Sequence, residues 1–169
     1  MRIIFLDVDG ELTYRAYKNE ETANIDPEKV ELLKEICDRT GAKVVISSSW
    51  RGTADSTPYL YHVLRNILDQ YGIDVLGDTP YIEADTESES EIRTLEDLDS
   101  CKMKHGTGRA AEIESWLNDH EVDNFVILDD EDWDWTEYGF EKNWIQPTWF
   151  ENGGLKREHA EAAVRILLG

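Results

Sequence analysis

Three short apolar runs constrain the fold of this chain more than any other feature of its sequence. Residues 3–6, 43–46 and 125–128 are nearly continuous in apolar and β-branched side chains. Strands that are buried on both faces have such runs, and strands of this kind belong to parallel sheets. The sequence therefore predicts a parallel sheet.

Helical patterns lie between and after these runs. Asp26 is placed to cap a helix that Pro27 opens and Gly41 ends. Strands that alternate with helices predict an α/β fold with a Rossmann-like, doubly wound parallel sheet, whose ligands bind beyond the carboxyl ends of the strands. Further helices are expected over residues 57–71, from about residue 107, and over residues 156–168.

Chain length and the spacing of the elements predict a single domain. The 169 residues suit one domain with a proper core. About fourteen residues separate Leu12 from the first expected helix, which leaves room for a flap but not for a helical cap. Residues 83–99 hold eight acids and one Arg, so we expect a solvated loop inserted at about 77–106. The prediction is one domain over 1–169 with a minimal cap or none.

The charge balance limits the partners that the chain can bind. It carries 37 acidic residues against 17 basic ones, for a net charge of -20. Such a charge works against a broad surface for polyanions, so duplex nucleic acid and anionic membranes are not expected as partners. A local basic pocket could still hold one phosphate. The oligomeric state stays open.

Targeting signals and cysteine usage favour the cytoplasm. The first apolar run meets acidic residues at once, so it does not resemble a signal peptide, and no window reaches transmembrane length. The spacing of Cys37 and Cys101 matches no zinc or redox motif, which indicates two thiols in a reducing compartment. We therefore expect a cytoplasmic protein.

Oxygen-bearing side chains follow each of the three apolar runs. Two carboxylates set one residue apart repel each other unless a cation lies between them. The carboxyl ends of parallel strands can meet in one crevice, and the ligands gathered there would suit Mg²⁺. The oxygen-bearing side chains are Asp7 and Asp9 after the first run, Ser47, Ser48 and Ser49 after the second, and Asp129 and Asp130 after the third, and Arg51 adds a guanidinium after the second run.

Together these motifs resemble the haloacid dehalogenase (HAD) superfamily of aspartate-nucleophile phosphohydrolases. The stretch "DVDGEL" at residues 7–12 is similar to the first motif, Ser47 to the second, and the pair Asp129 and Asp130 to the fourth. More narrowly, "FLDVDG", "SSSWR", "EIESWL", "VILDD" and "GGL" resemble the small HAD domains of bacterial and phage RNA-repair proteins. The resemblance covers roughly residues 2–168.

The resemblance implies a nucleophile, an acid–base group and a metal site. Asp7 would attack phosphorus to form an aspartyl-phosphate, and Asp9 would protonate the leaving oxygen and then deprotonate the attacking water. The carboxylates of Asp7 and Asp129 and the backbone carbonyl of Asp9 would hold Mg²⁺. Asp130 would bind the ion through a water or orient the other ligands.

The resemblance also implies contacts to the phosphate. Ser47 would hydrogen-bond a phosphoryl oxygen, and Ser48 takes this role if the register differs by one residue. Gly10 in the first motif is a further candidate for substrate binding. Arg51 is either a partner in a structural ion pair or a substrate contact.

The third motif and one acidic residue fit the superfamily pattern less well. The superfamily supplies a Lys or Arg beside the nucleophile, and Arg109, in the first turn of the third expected helix, is the candidate. Lys104 and Lys102 on the preceding loop are alternatives. Glu11 stands at a position that is often small or β-branched in the superfamily. It is either a third acid near the metal, where it would slow phosphate binding, or a side chain that points to solvent.

Several tryptophans lie close to the acidic motifs. They could stack on a nucleobase, or they could pack in the core and around its rim. The scattered histidines are assigned no chemistry. The tryptophans are Trp133, Trp135, Trp144 and Trp149.

The leading hypothesis is a Mg²⁺-dependent phosphatase that acts through an aspartyl-phosphate. Its expected substrate is the phosphate of a nucleotide or of a nucleic-acid end. The alternative is a non-catalytic domain that keeps the acidic site as a metal-binding or protein-interaction module. A signalling receiver fits poorly, because its acidic pair would follow the first strand and its phosphoacceptor a later one.

Overall fold

A five-stranded, all-parallel sheet forms the centre of the computed structural model, which describes residues 1–51, 58–82 and 108–169. The strand order is β3-β2-β1-β4-β5. The predicted α/β fold with a parallel sheet is therefore confirmed. The strands are β1 (Arg2–Leu6), β2 (Lys43–Ile46), β3 (Val75–Asp78), β4 (Asn124–Leu128) and β5 (Trp144–Ile145).

Within the described ranges, four helices connect and flank these strands. The cap of the first helix forms as expected, since the Asp26 side chain accepts a hydrogen bond from the Glu28 amide at 3.0 Å and Gly41 ends the helix with φ 70°. A short 3₁₀ turn, Glu20–Thr22, lies in the segment between β1 and the first helix. The helices are α1 (Pro27–Thr40), α2 (Pro58–Gln70), α3 (Arg109–Asn118) and α4 (Arg157–Leu168).

The central strand β1 divides the core into two layers. Ile4 and Leu6 pack with apolar residues of α1, α2 and α4, while Ile3 and Phe5 pack with residues of α3. Side chains alternate between the two faces of a strand, so one short run serves both layers. All four of these side chains are fully buried, and each contributes about 1.5–3 kcal/mol of hydrophobic stabilisation. The helices therefore cover both faces of the sheet, as a doubly wound fold requires.

The sequence patterns missed the two edge strands. β3 is only partly buried and contains Gly77, and β5 has two residues, so neither presents a continuous apolar run. Because β3 includes Gly77 and Asp78, the segment that leaves the sheet starts after Asp78 and not at residue 77. The acidic stretch 83–99, Cys101, Lys102 and Lys104 lie outside the described residues.

The sequence predicts no membrane-spanning segment. Among the helices in the described ranges, none is long and apolar enough to span a membrane.

Trp135 is fully buried in the layer that contains α3. Trp144 packs at the edge of that layer and donates a hydrogen bond to the Asp129 carbonyl at 2.8 Å. Packing is therefore the role of these two tryptophans.

Candidate active site

The register of the sheet brings the three strand ends together. Leu6 pairs with Ile46 on one side and with Leu128 on the other. The Asp7 amide donates to the Leu128 carbonyl at 2.9 Å, and the Ser47 amide donates to the Leu6 carbonyl at 2.8 Å. The residues that follow β1, β2 and β4 therefore start from one edge of the sheet.

Four carboxylates form a cluster at this edge: Asp7, Glu11, Asp129 and Asp130. One oxygen of each lies within 4.8 Å of the others. Asp7, Glu11 and Asp129 are 5%, 0% and 1% exposed, and Asp130 is partly buried. Buried carboxylates at this spacing need a compensating charge, and hard divalent cations take oxygen ligands of this kind. The cluster contains three of the predicted metal ligands and adds Glu11.

Arg109 is the cation that the structure places against this cluster. Its Nη1 lies 2.7 Å from Asp7 Oδ2 and 3.0 Å from Asp129 Oδ2, and its guanidinium carbon lies 5.0 Å from the centre of the Trp133 ring. Burial lowers the pKa of Arg109, but the charges of Asp7 and Asp129 outweigh this and raise it above the usual value. Arg109 thus lies beside the expected nucleophile, where the third motif requires a cation.

The acids of the cluster hold protons more tightly than free carboxyls do. Burial raises the pKa of Asp7, although Arg109 opposes the shift. Burial and the charge of Asp7 raise the pKa of Asp129 to about 8 and that of Asp130 to about 6. Among the described residues, Arg109 is the cation paired with the cluster, and it leaves part of the negative charge without compensation, which is the situation that a metal ion relieves.

Glu11 is the cluster residue whose role the sequence left open. Neither of its carboxylate oxygens has a hydrogen-bond partner among the described residues. Burial raises its pKa well above the usual value, and the charges of Asp7 and Asp129 add to the shift. The expectation that Glu11 points to solvent is wrong, because the residue is 0% exposed. The sequence could not predict this burial, because the superfamily often has a small or β-branched residue at this position and so gives no guide to the placement of an acid.

Asp9 has a different position from the other acids. Its side chain is exposed, and it accepts hydrogen bonds from Thr13 Oγ1 at 2.8 Å and from Trp50 Nε1 at 3.1 Å. These two hydrogen bonds therefore hold the Asp9 carboxylate outside the cluster, in an exposed position that suits an acid–base group. Metal binding through its backbone carbonyl stays a prediction. The sequence reasoning gave Trp50 no role, although it lies in the quoted stretch "SSSWR".

The three serines after β2 lie in different environments. Ser47 is buried, and its hydroxyl has no partner among the described residues. The Ser48 side chain lies near Asp7, where it favours the ionised form of that carboxyl and opposes part of the rise in its pKa that burial causes. Ser49 lines the crevice in front of Asp7. The structure thus brings Ser48 to the expected nucleophile, and a phosphate contact by Ser47 stays a prediction.

Gly10 supports the cluster through its missing side chain. It adopts φ 102°, and a Cβ atom at this position would lie 2.5 Å from Asp130 Cγ. Only glycine adopts this backbone conformation readily and leaves the space that Asp130 fills. The structure therefore gives Gly10 a role in positioning Asp130, and its assignment to substrate binding stays a prediction.

Arg51 does not face the crevice. Its guanidinium is buried in an ion pair with Glu112 of α3, with Nη1 2.5 Å from Oε2, and it also donates to Thr79 Oγ1 at 3.1 Å. The Tyr81 ring covers it at 5.5 Å. The assignment of Arg51 to substrate binding is therefore not supported, and the structural alternative describes it. A single arginine after a strand gives no sequence signal of its partner, because Glu112 is 61 residues away.

An open crevice leads from the solvent to the cluster. It has a volume of about 390 Å³, within the range of small-molecule sites. A second cavity of about 420 Å³ adjoins it, since Asp9 and Trp149 line both. The lining of the first crevice is Asp7, Asp9, Ser49, Arg109, Asp130, Glu131, Trp149 and Phe150.

Comparison with known proteins identifies the family of the chain. The model of a family described as "HAD domain in Swiss Army Knife RNA repair proteins" matches residues 3–160. The chain belongs to this family. Comparisons with curated proteins and with solved structures gave no significant match. The HAD resemblance is therefore confirmed, and membership supports a HAD-type phosphohydrolase in general terms.

Proposed function

We propose that this HAD domain is a Mg²⁺-dependent phosphatase that hydrolyses a phosphomonoester through an aspartyl-phosphate. The observation that carries the proposal is the contact between Arg109 and Asp7, 2.7 Å long, inside a cluster of buried carboxylates. A carboxylate beside a fixed guanidinium can attack a phosphoryl group whose charge that guanidinium helps to neutralise. The cluster of buried carboxylates would be costly in a domain that bound no cation.

The two steps of the reaction use the first two aspartates in turn. In the first step an Asp7 oxygen forms a bond to phosphorus, the bond to the leaving oxygen breaks, and Asp9 gives that oxygen a proton. In the second step Asp9 takes a proton from water, the water oxygen bonds to phosphorus, and the bond to Asp7 breaks. Thr13 and Trp50 hold the Asp9 carboxylate at the mouth of the crevice.

The residues of the cluster fit the metal that the family implies. The unpartnered oxygens of Glu11 and the close spacing of four carboxylates indicate a site for a hard cation. The carboxylates of Asp7 and Asp129 and the carbonyl of Asp9 would hold it, with Asp130 beside them. When bound, Mg²⁺ would neutralise charge on the phosphoryl oxygens and keep Asp7 ionised.

The walls of the crevice support a substrate that carries a nucleobase. Phe150 is 67% exposed beside Trp149, and the Lys18 ammonium lies 5.5 Å from the centre of a Trp149 ring. Exposed aromatic rings stack on bases with little dependence on sequence, and a nearby cation suits a phosphate backbone. The net charge of -20 disfavours a long polyanion. We therefore propose a nucleotide or a terminal phosphate of a nucleic acid as substrate.

The test is phosphate release by wild type and by Asp7→Asn, with Mg²⁺ or with EDTA. The substrates are an aryl phosphate, an aliphatic phosphomonoester, a set of nucleotides, and oligonucleotides phosphorylated at the 3′ or the 5′ end. We expect release that requires Mg²⁺, disappears in Asp7→Asn, and is faster with base-bearing substrates than with the aliphatic ester. No release by folded protein that binds Mg²⁺ would favour the non-catalytic module.

A further inference from the structure

Glu11 is a buried acid that the proposed reaction does not use. Its side chain is 0% exposed, and both of its oxygens lack a hydrogen-bond partner among the described residues. A buried carboxylate without a partner is strongly unfavourable when ionised, so a structural role alone gives no reason for an acid at this position. A ligand that accepts these oxygens would explain it.

The backbone around Glu11 holds its side chain toward the cluster. Its amide donates to the Val8 carbonyl at 3.2 Å, and its carbonyl accepts from the Leu155 amide at 2.8 Å. Gly154 lets the chain pass closely, since a Cβ atom there would lie 3.1 Å from the Glu11 carbonyl oxygen. The backbone is thus held from two sides, and one carboxylate oxygen lies within 4.8 Å of oxygens of the other three acids.

Arg109 compensates for the charge of Glu11 only in part. Its hydrogen bonds go to Asp7 and Asp129, and within the part of the chain that the structure describes no donor reaches Glu11. Among the described residues, four carboxylates face one guanidinium, and this leaves an excess of negative charge that is buried from water. A cation from solution, with a preference for oxygen ligands, matches both the charge and the free oxygens.

We propose that the Glu11 carboxylate is a ligand of the divalent cation at this site. It would be a donor in addition to Asp7, Asp9, Asp129 and Asp130, whose metal roles the HAD resemblance implies. The inference rests on the proposed function only in that both require the cation. A fourth carboxylate makes the site more anionic, so it would hold Mg²⁺ more tightly before any phosphate arrives.

The experiment is calorimetric titration of Mg²⁺ into EDTA-treated, dialysed protein. Glu11→Gln keeps the size of the side chain and removes its charge. Glu131→Gln removes an equal charge from an exposed residue that lines the crevice outside the cluster. We expect Glu11→Gln to weaken Mg²⁺ binding by about tenfold or more, which is typical for the loss of groups at a metal site, and Glu131→Gln to weaken it by less than about threefold.

Two results would overturn the proposal. One is unchanged Mg²⁺ affinity in Glu11→Gln, which would mean that Glu11 does not bind the ion. The other is an equal loss of Mg²⁺ affinity in Glu11→Gln and Glu131→Gln, which would mean that Glu11 acts only through its charge. If Glu11→Gln does not fold, Glu11→Thr replaces it with the type of residue that is usual at this position, and the same criteria apply.

A second readout separates ligation from loss of structure. In EDTA the unfolding temperature of Glu11→Gln should be close to that of wild type, because the variant keeps the size of the side chain and removes no hydrogen bond that the described residues make to the Glu11 carboxylate. The rise in unfolding temperature on adding Mg²⁺ should be smaller than in wild type. These measurements need no turnover, so an inactive wild type that shows them would contradict the proposed function and leave the metal role of Glu11 supported.

Discussion

At the scale of single residues, the absence of a side chain at Gly10 sets how closely two motifs approach. The loop after β1 and the loop after β4 both carry acids, and they can meet only where one backbone leaves space for the other. Asp130 fills the space beside Gly10, since a Cβ atom on Gly10 would lie 2.5 Å from Asp130 Cγ. The position of Asp130, a proposed metal-site carboxylate, therefore depends on a residue with no functional group.

Replacement of Gly10 with alanine should damage both stability and metal binding. The new methyl group would displace Asp130, and φ 102° would strain the backbone, for a cost of about 1–3 kcal/mol in the free energy of unfolding. The Mg²⁺ affinity should fall as well. Urea unfolding and Mg²⁺ titration measure the two effects.

A second glycine provides the control for this variant. Gly139 has φ 72°, and a Cβ atom there would meet nothing within 4 Å among the described residues. Gly139→Ala should therefore show only the cost of the positive φ and no change in Mg²⁺ affinity. If the two variants behave alike, the close approach of Asp130 to Gly10 has no influence on the site.

At the scale of secondary-structure elements, helix α3 takes part in two ion pairs, one that is structural and one that lies in the candidate active site. Glu112, one turn into α3, pairs with Arg51 from the end of β2, while Arg109 at the start of α3 pairs with Asp7. The first ion pair fixes α3 against the edge of the sheet from which the loop with Ser47 departs. The second places the guanidinium against Asp7, the proposed nucleophile. Helix α3 is thus held by two separate ion pairs, one to the loop after β2 and one to the end of β1.

Removal of Arg51 should destabilise the protein and leave its chemistry largely intact. In Arg51→Met the Glu112 carboxylate stays buried without its partner, a situation that costs about 3–5 kcal/mol. The double variant Arg51→Met/Glu112→Leu should recover much of this loss. Urea unfolding gives the stabilities, and phosphate release per folded molecule gives the activity. Loss of activity in Arg51→Met at unchanged stability would instead show that Arg51 contacts substrate.

The comparison of these elements shows what the sequence could predict. β1, β2 and β4 are central and buried on both faces, so their apolar runs and the polar residues after them were visible. β3 and β5 are edge strands held by their neighbours, and they carry no such run. Arg51 and Arg109 look alike in sequence, because the carboxylate that each one meets lies far away along the chain. The burial of Glu11 likewise depends on Leu155 and Gly154, which come from the last quarter of the chain.

At the scale of the whole molecule, the acidity of the chain and the metal site are linked through protons. In the metal-free fold, burial and the charge of Asp7 raise the pKa of Asp129 to about 8 and that of Asp130 to about 6. An unfolded chain would titrate both near 3.8, their usual value. Between these values the folded state binds more protons than the unfolded state. The free energy of unfolding must therefore fall as pH rises through this window.

The metal-free protein should accordingly be less stable at pH 8 than at pH 5. Added Mg²⁺ compensates for the charge that appears as the carboxyls ionise, so the gain in stability from Mg²⁺ should grow over the same range. Urea unfolding at both pH values, in EDTA and in Mg²⁺, measures this difference. General repulsion from the net charge of -20 has the same sign, but monovalent salt screens it and does not replace the metal. Asp129→Asn should reduce the dependence on pH, and metal-free stability that rises from pH 5 to pH 8 would mean that the cluster is ionised and compensated without a metal.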